Sequence, residues 1–191
     1  EESEQPLQPE SFRSAKGTDL SQYANLAGDS SVVDVMVAYT ARAREARGGA
    51  SGMLAHINQV FAESNAGLAN SQVAMTFRLV HAVEVSFDDT QSTMSYSSTL
   101  SALQKTDDGF IDEVHTLRDQ YGADMVSLFV NPPLPNSGSF TVGMAYMLGN
   151  SPSNFGPYAF SVVHQGYAGG SSLTFPHEAG HNLGLNHDVD H

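Results

Sequence analysis

Cysteine is absent from the 191 residues, which removes thiol nucleophiles, disulfides and Cys-based zinc sites together. Any metal must therefore be held by His and carboxylate. Basic residues are scarce: eight Lys plus Arg stand against 21 Asp plus Glu, a formal charge of −13 that repels phosphate backbones and anionic membrane surfaces. Neither nucleic acid nor a membrane is expected as a partner. No Lys or Arg follows Arg118, so a site in that stretch has cationic help only from a metal or a protonated His. Nor is there an apolar run long enough to cross a bilayer, and a soluble chain is expected.

Against these absences, hydrophobic residues make up 40% of the chain and charged residues only 15%, which fits one folded domain with a sizeable core. The chain begins Glu1-Glu2-Ser3 without Met or an apolar signal segment, as a processed or trimmed product would. Residues 1–30 are polar and without sustained period. They read as a linker or pro-segment remnant, with an ordered arm as the alternative, and the domain proper spans 31–191.

SVVDVMVAYT (31–40) is a β-branched, apolar run suited to a strand buried on both faces, and the basic segment ARAREARGG after it reads as a turn. From Ser51 to about Asn70, Met53, Leu54, Ile57, Val60, Phe61 and Leu68 recur at helical spacing. Residues 73–87 read as a long strand or a bent pair. A Ser/Thr/Asp-rich connection follows, with a short helix around Leu100 to Gln104, and then a second helix marked by Ile111, Val114, Leu117 and Tyr121. ADMVSLFV (123–130) is a core strand ended by Asn131-Pro132-Pro133, and TVGMAYM (141–147) and AFSVVHQG (159–166) are shorter strands. This order predicts an α/β fold with a mostly parallel sheet.

Three of the eight histidines, with one glutamate and two glycines, fall in the twelve residues HEAGHNLGLNHD, His177 to Asp188. On a helix His177 and His181 project from one face, so both imidazoles can reach one ion. Glu178, turned by about 100° from His177, stands beside that ion, where a base for an activated water belongs. Gly184 is free to take positive φ, which lets the chain reverse and bring His187 to the same point. Three histidines leave the fourth position of a tetrahedral zinc open, as catalytic sites do. The chain's own composition predicts such a pattern by accident on the order of once in ten thousand chains. Pro176 belongs to a helical first turn, which puts the cap at about Thr174.

HExxHxxGxxH, read as His177-Glu178-Ala179-Gly180-His181-Asn182-Leu183-Gly184-Leu185-Asn186-His187, resembles the zinc signature of the metzincin metallopeptidases. With Asn182-Leu183-Gly184 and Asp188 it is most similar to the adamalysin/reprolysin branch, and VDVMVAYT with its following helix resembles bacterial secreted members, among them the peptidyl-Asp metalloendopeptidases. The resemblance covers roughly residues 31–188. It implies a twisted five-stranded sheet with one antiparallel edge strand, two long helices and a zinc helix. It also implies Zn2+ on His177, His181 and His187, with Glu178 as general base, taking a proton from water and passing it to the leaving amine. TVGMAYM becomes the edge strand that holds an extended peptide through Gly143, Met144, Ala145 and Tyr146. Substrates would be proteins or peptides and the location extracellular. Family domains continue into a small subdomain with a methionine turn, which this chain does not include. A zinc-binding, inactive peptide-binding module and a non-peptidase zinc hydrolase stay open beside the endopeptidase.

Asp34 and Asp124 begin neighbouring core strands, where reprolysins often carry acidic calcium ligands, so the pair is a candidate Ca2+ site. Asp188 is either a partner of the zinc loop or a turn residue. His56, His81, His115 and His164 read as structural, His191 as a mobile end, and the acid pairs Asp88-Asp89, Asp107-Asp108 and Asp112-Glu113 as solvated surface. Ser171 and Ser172 lead into the last helix and lack a base at hydrolase spacing. An acidic substrate pocket would want Arg or Lys, for which Arg78 is a candidate.

Overall fold

The computed structural model describes residues 31–90, 95–135, 138–148 and 155–187. The apolar run at 31–40 is strand β1, Ser31–Thr40, and it lies parallel between β2, Met75–Val85, and β3, Met125–Val130. β5, Phe160–His164, continues the sheet parallel to β3, and the short β4, Gly143–Ala145, closes that side antiparallel to β5. The order is β2-β1-β3-β5-β4, the mostly parallel sheet with one antiparallel edge that the sequence implied. β3 is buried at every position, as a central parallel strand covered on both faces must be.

Alternation along β1 divides the core into two layers. Val33, Val35, Val37 and Tyr39 face one side, where Met53, Ile57 and Val60 of α2 (Ala50–Asn70) and Phe175 and Ala179 of α5 (Thr174–Asn182) cover them. Met36 and Ala38 face the other, against Leu100 and Leu103 of α3 (Tyr96–Gln104) and Val114 of α4 (Glu113–Tyr121). α2 is fixed to the sheet by Asn65, whose amide donates to the Phe77 carbonyl (2.9 Å) and accepts from the Phe77 N–H (2.8 Å). The second expected helix is nine residues long against the 21 of α2, because Gly122 takes the left-handed conformation (φ 63°) and stops it.

Three local expectations change. The basic segment after β1 is not a turn: Ala41–Ala46 form helix α1, because the Thr40 hydroxyl accepts the Ala43 N–H and caps it. α3 begins earlier than expected, at Tyr96, with Ser95 accepting the Ser98 N–H. Asp89 is not on the surface but 1% exposed, accepting from the Thr40 hydroxyl (2.8 Å) and the Asn131 N–H (2.6 Å), so it ties the ends of β1 and β3 together. A buried carboxylate with such donors is satisfied rather than stranded.

Candidate metal centre

α5 starts without a side-chain cap. Leu173 holds the N-cap position in the left-handed region (φ 47°), so Thr174 is the first helical residue rather than the cap, and Pro176 still lies in the first turn. The cost of that backbone, about 1–2 kcal/mol, is offset by packing. Phe175 is 1% exposed, stacked on Phe61 (centroids 4.9 Å apart) and edge-on to Phe77 (5.4 Å) and Phe129 (6.1 Å). The preceding loop is held by α2, where the Glu63 carboxylate accepts the Gly170 N–H at 2.7 Å. At the other end Asn182 donates to the Tyr146 carbonyl (2.6 Å) and the Phe160 carbonyl (3.3 Å), joining the helix to the edge of the sheet.

Beyond α5 the chain reverses at Gly184 (φ 96°), with the Leu185 N–H on the Gly180 carbonyl at 2.9 Å and the Leu185 side chain against Gly180. This reversal returns His187 to the helix. The ligand nitrogens of His177, His181 and His187 all lie within 4.8 Å of one another, and His187 Nε2 is 3.1 Å from Nε2 of both His177 and His181. Nitrogens about 2.0–2.1 Å from a tetrahedral zinc stand about 3.3 Å apart, so the spacing fits that ion. Proton counting agrees. His181 Nδ1–H donates to the Leu185 carbonyl (2.9 Å), leaving the Nε2 of the neutral ring as a bare lone pair aimed at the cluster. His187 Nε2 carries at most one hydrogen, so its two 3.1 Å contacts cannot both be full hydrogen bonds between neutral rings, whereas a cation among the three nitrogens would satisfy each of them. Burial, and then the like charges of His181 and His187, hold His177 below its usual pKa, favouring the neutral form that a metal requires.

Glu178 is 6% exposed, and burial pushes its carboxyl up to about 7 against the opposing pull of His181. It faces the edge strand. A Cβ placed on Gly143 would lie 2.5 Å from Glu178 Oε1, so β4 and the carboxyl are in direct contact. β4 pairs Gly143 with Val163, Met144 with Val162 and Ala145 with Ser161. His164 N–H donates to the Val142 carbonyl (2.7 Å) and Tyr146 N–H to the Phe160 carbonyl (3.4 Å), so the even-numbered residues bond to β5. Gly143 and Ala145 turn their main-chain groups to the open edge. The four candidate substrate residues therefore divide: Gly143 and Ala145 offer main chain, whereas Met144 and Tyr146 pack side chains into the α3–α4 layer.

The remaining candidates lie elsewhere. The candidate calcium pair finds no support: both Asp34 carboxylate oxygens accept from Arg78 at 2.6 Å, and Asp124 Oδ2 accepts the Asp34 N–H at 2.8 Å, so the Asp34 charge already has a guanidinium. Arg78 itself is on β2, the opposite edge of the sheet from β4, which removes it as a substrate-pocket cation. His56 and His115 bond to the Gln165 and Lys105 carbonyls, His164 Nδ1 accepts the Gly166 N–H, and buried His81 stacks on Tyr121, all in the structural roles expected. Asp188 and His191 lie outside the described residues. Asn182 stands in the motif, but its role in tying α5 to the sheet edge was not foreseen, and neither was that of Glu63. An Asn directly after His181 was a visible signal for the first, whereas nothing in the sequence links Glu63 to Gly170.

A parallel-sheet α/β domain whose antiparallel edge strand meets a helix with converging imidazoles and a buried carboxyl has the architecture of a metallopeptidase. Residues 29–191 match Reprolysin_5, Metallo-peptidase family M12, and the chain belongs to that family. It is 30% identical over 162 residues to a peptidyl-Asp metalloendopeptidase of Stenotrophomonas maltophilia, covering 85% of this chain and 35% of that protein. A Xanthomonas campestris pv. campestris protein of the same name gives the same figures, and one from Pseudomonas aeruginosa is 32% identical over 83% of this chain and 26% of its own length. The chain thus spans about a third or less of these relatives. Among solved structures, one titled "Structure of a chaperone-substrate complex" shares the fold with a TM-score of 0.64 at 22% identity, over 85% of this chain and 25% of that one.

Proposed function

We propose that the chain is the zinc-carrying part of a metalloendopeptidase that cleaves extended protein segments, with His177, His181 and His187 as zinc ligands and Glu178 as general base. The observation that carries this is the convergence of three imidazole nitrogens beside a buried carboxyl that touches an open strand edge. Zinc bound there supplies Lewis acidity, polarising a peptide carbonyl and acidifying a water. The residues of the chain do the rest. Gly143 and Ala145 pair their N–H and C=O groups with a substrate strand and hold it along the edge. Glu178 takes the proton of the attacking water on its carboxylate and delivers it to the leaving amine; burial that lifts its pKa to about 7 suits a group that must both accept and return a proton near neutrality.

The relatives are named for peptidyl-Asp cleavage, and a subsite for that carboxylate would need a cation. Of the described arginines, Arg44 pairs with Glu84, Arg78 with Asp34, and Arg118 donates to the carbonyls of Ala123 and Gly156, so none of these three is available to an acidic side chain at the metal centre. We propose an extracellular location, to be checked by the presence of the protein in culture supernatant. Among the described residues no helix is long and apolar enough to span a membrane.

The test is to incubate the zinc-loaded chain with an unfolded protein, with and without chelator, and to read the cut sites by mass spectrometry. Chelator-sensitive internal cuts are expected, and their flanking residues report specificity. Stoichiometric zinc without any cleavage would instead identify an inert peptide-binding module.

A further inference from the structure

We propose that Gly143 is a positioning residue for Glu178: the edge strand carries no side chain there because the volume it would fill is the seat of the Glu178 carboxyl. The proposal rests on the reading of Glu178 as base and adds the device that aims it. A Cβ at position 143 would stand 2.5 Å from Glu178 Oε1, 2.8 Å from Glu178 Cγ and 2.5 Å from Thr174 Cγ2. Carbon atoms in contact sit about 3.5–4.0 Å apart, so all three distances are clashes. Both walls of the seat come from α5, since Thr174 and Glu178 are one turn apart on the same face and both are buried.

The backbone gives no competing reason for glycine. Gly143 is not among the positive-φ residues of the structure, and it lies in a strand, where glycine weakens pairing and alanine would be accepted. Space alone demands it. The same residue turns its N–H and C=O to the open edge, so a peptide paired there lies at a distance from the carboxyl fixed by one residue's width. Base and substrate are thus registered against a single backbone unit.

Gly143→Ala tests this. The main chain that would pair with substrate is unchanged and the three nearest atoms to the added Cβ belong to Glu178 and Thr174, so zinc content and KM should stay within about threefold, while kcat should fall about 10²-fold, as for a reacting group displaced by about 1 Å. An unchanged kcat, or a loss confined to KM, would overturn the proposal. A second readout needs no activity: the urea midpoint of the metal-free chain. Gly143→Ala should lower that midpoint, and the drop should shrink by more than half in a Glu178→Ala background, where the seat is empty; adding Thr174→Ser, which removes Cγ2, should shrink it further. Equal drops in the Glu178 and Glu178→Ala backgrounds would refute the seat. If the zinc-loaded chain cleaves nothing, the base assignment fails by itself and the urea comparison still decides the role of Gly143.

Discussion

Phe175 is where the stability of the sheet and the placement of the metal helix meet, and truncating it should be costly. Phe175→Ala removes a ring that is 1% exposed and packed against Phe61, Phe77 and Phe129, which belong to α2, β2 and β3. A buried Phe→Ala change costs about 3–5 kcal/mol, and three ring partners together with a strained N-cap at Leu173 argue for the upper part of that range. With a urea m-value of about 2 kcal/mol/M, the midpoint of the metal-free chain should fall by roughly 2 M. Total stabilities of about 5–15 kcal/mol leave little margin, so Phe175→Leu, which keeps most of the apolar volume, serves as the milder step at roughly 1–2 kcal/mol. Urea unfolding followed by circular dichroism, with zinc removed, gives the midpoints. Since Phe175 contacts no ligand nitrogen, the Leu variant should still bind one zinc. A midpoint shift below about 0.5 M for Phe175→Ala would show that the aromatic cluster does not anchor α5, and the reasoning would fall.

Glu178→Gln should keep its zinc, because no ligand is lost, and should lower kcat about 10²- to 10⁴-fold; undiminished turnover would remove Glu178 from the mechanism. His181→Ala should lose the metal, measured as zinc per chain after gel filtration, and stoichiometric zinc in that variant would contradict the ligand set. In the metal-free chain the Glu178 pKa is raised from 4.5 to about 7, so folding favours its protonated form; the stability present below about pH 4.5 is lost as pH rises to 7, by about 3 kcal/mol. Urea midpoints of wild type and Glu178→Gln at pH 4.5 and 8 should therefore diverge with rising pH, and parallel curves would mean that the carboxyl is not desolvated. Because Arg78 already holds Asp34, millimolar calcium should leave the melting temperature unchanged, and a rise of several degrees would reinstate the calcium pair.

The sequence was most legible where one strong pattern dominated. β1 is bounded as its apolar run suggested, α2 differs from its expected span by one residue, and the HExxHxxGxxH spacing brings three imidazoles together because helix geometry alone sets two of them and one glycine returns the third. What escaped was one local cap and several contacts between partners distant in sequence. α1 was hidden because Thr40 looked like the end of a strand, while its hydroxyl was also a cap for Ala43. Asp89 beside Asp88 reads as a solvated pair until β1 and β3 come together and give it two donors. Asp34 sits at a strand end as a cation ligand would, yet its neighbour in space is Arg78, which only the β1–β2 register supplies. The cap position was misjudged because tertiary packing of Phe175 took over the work that a side-chain cap does elsewhere.

The order in which the described strands pair also sets a timetable. α1, α2, β2, α3 and α4 lie in the chain between β1 and β3, which pair only across that separation, and the seat of α5 draws on β4 and β5 as well. Long-range pairing of this kind is slow, and the three histidines follow all the described strands and converge only once α5 is seated against them. Zinc uptake during refolding should consequently trail sheet formation, so that the ion would act as a seal on an assembled sheet and not as the nucleus around which it condenses.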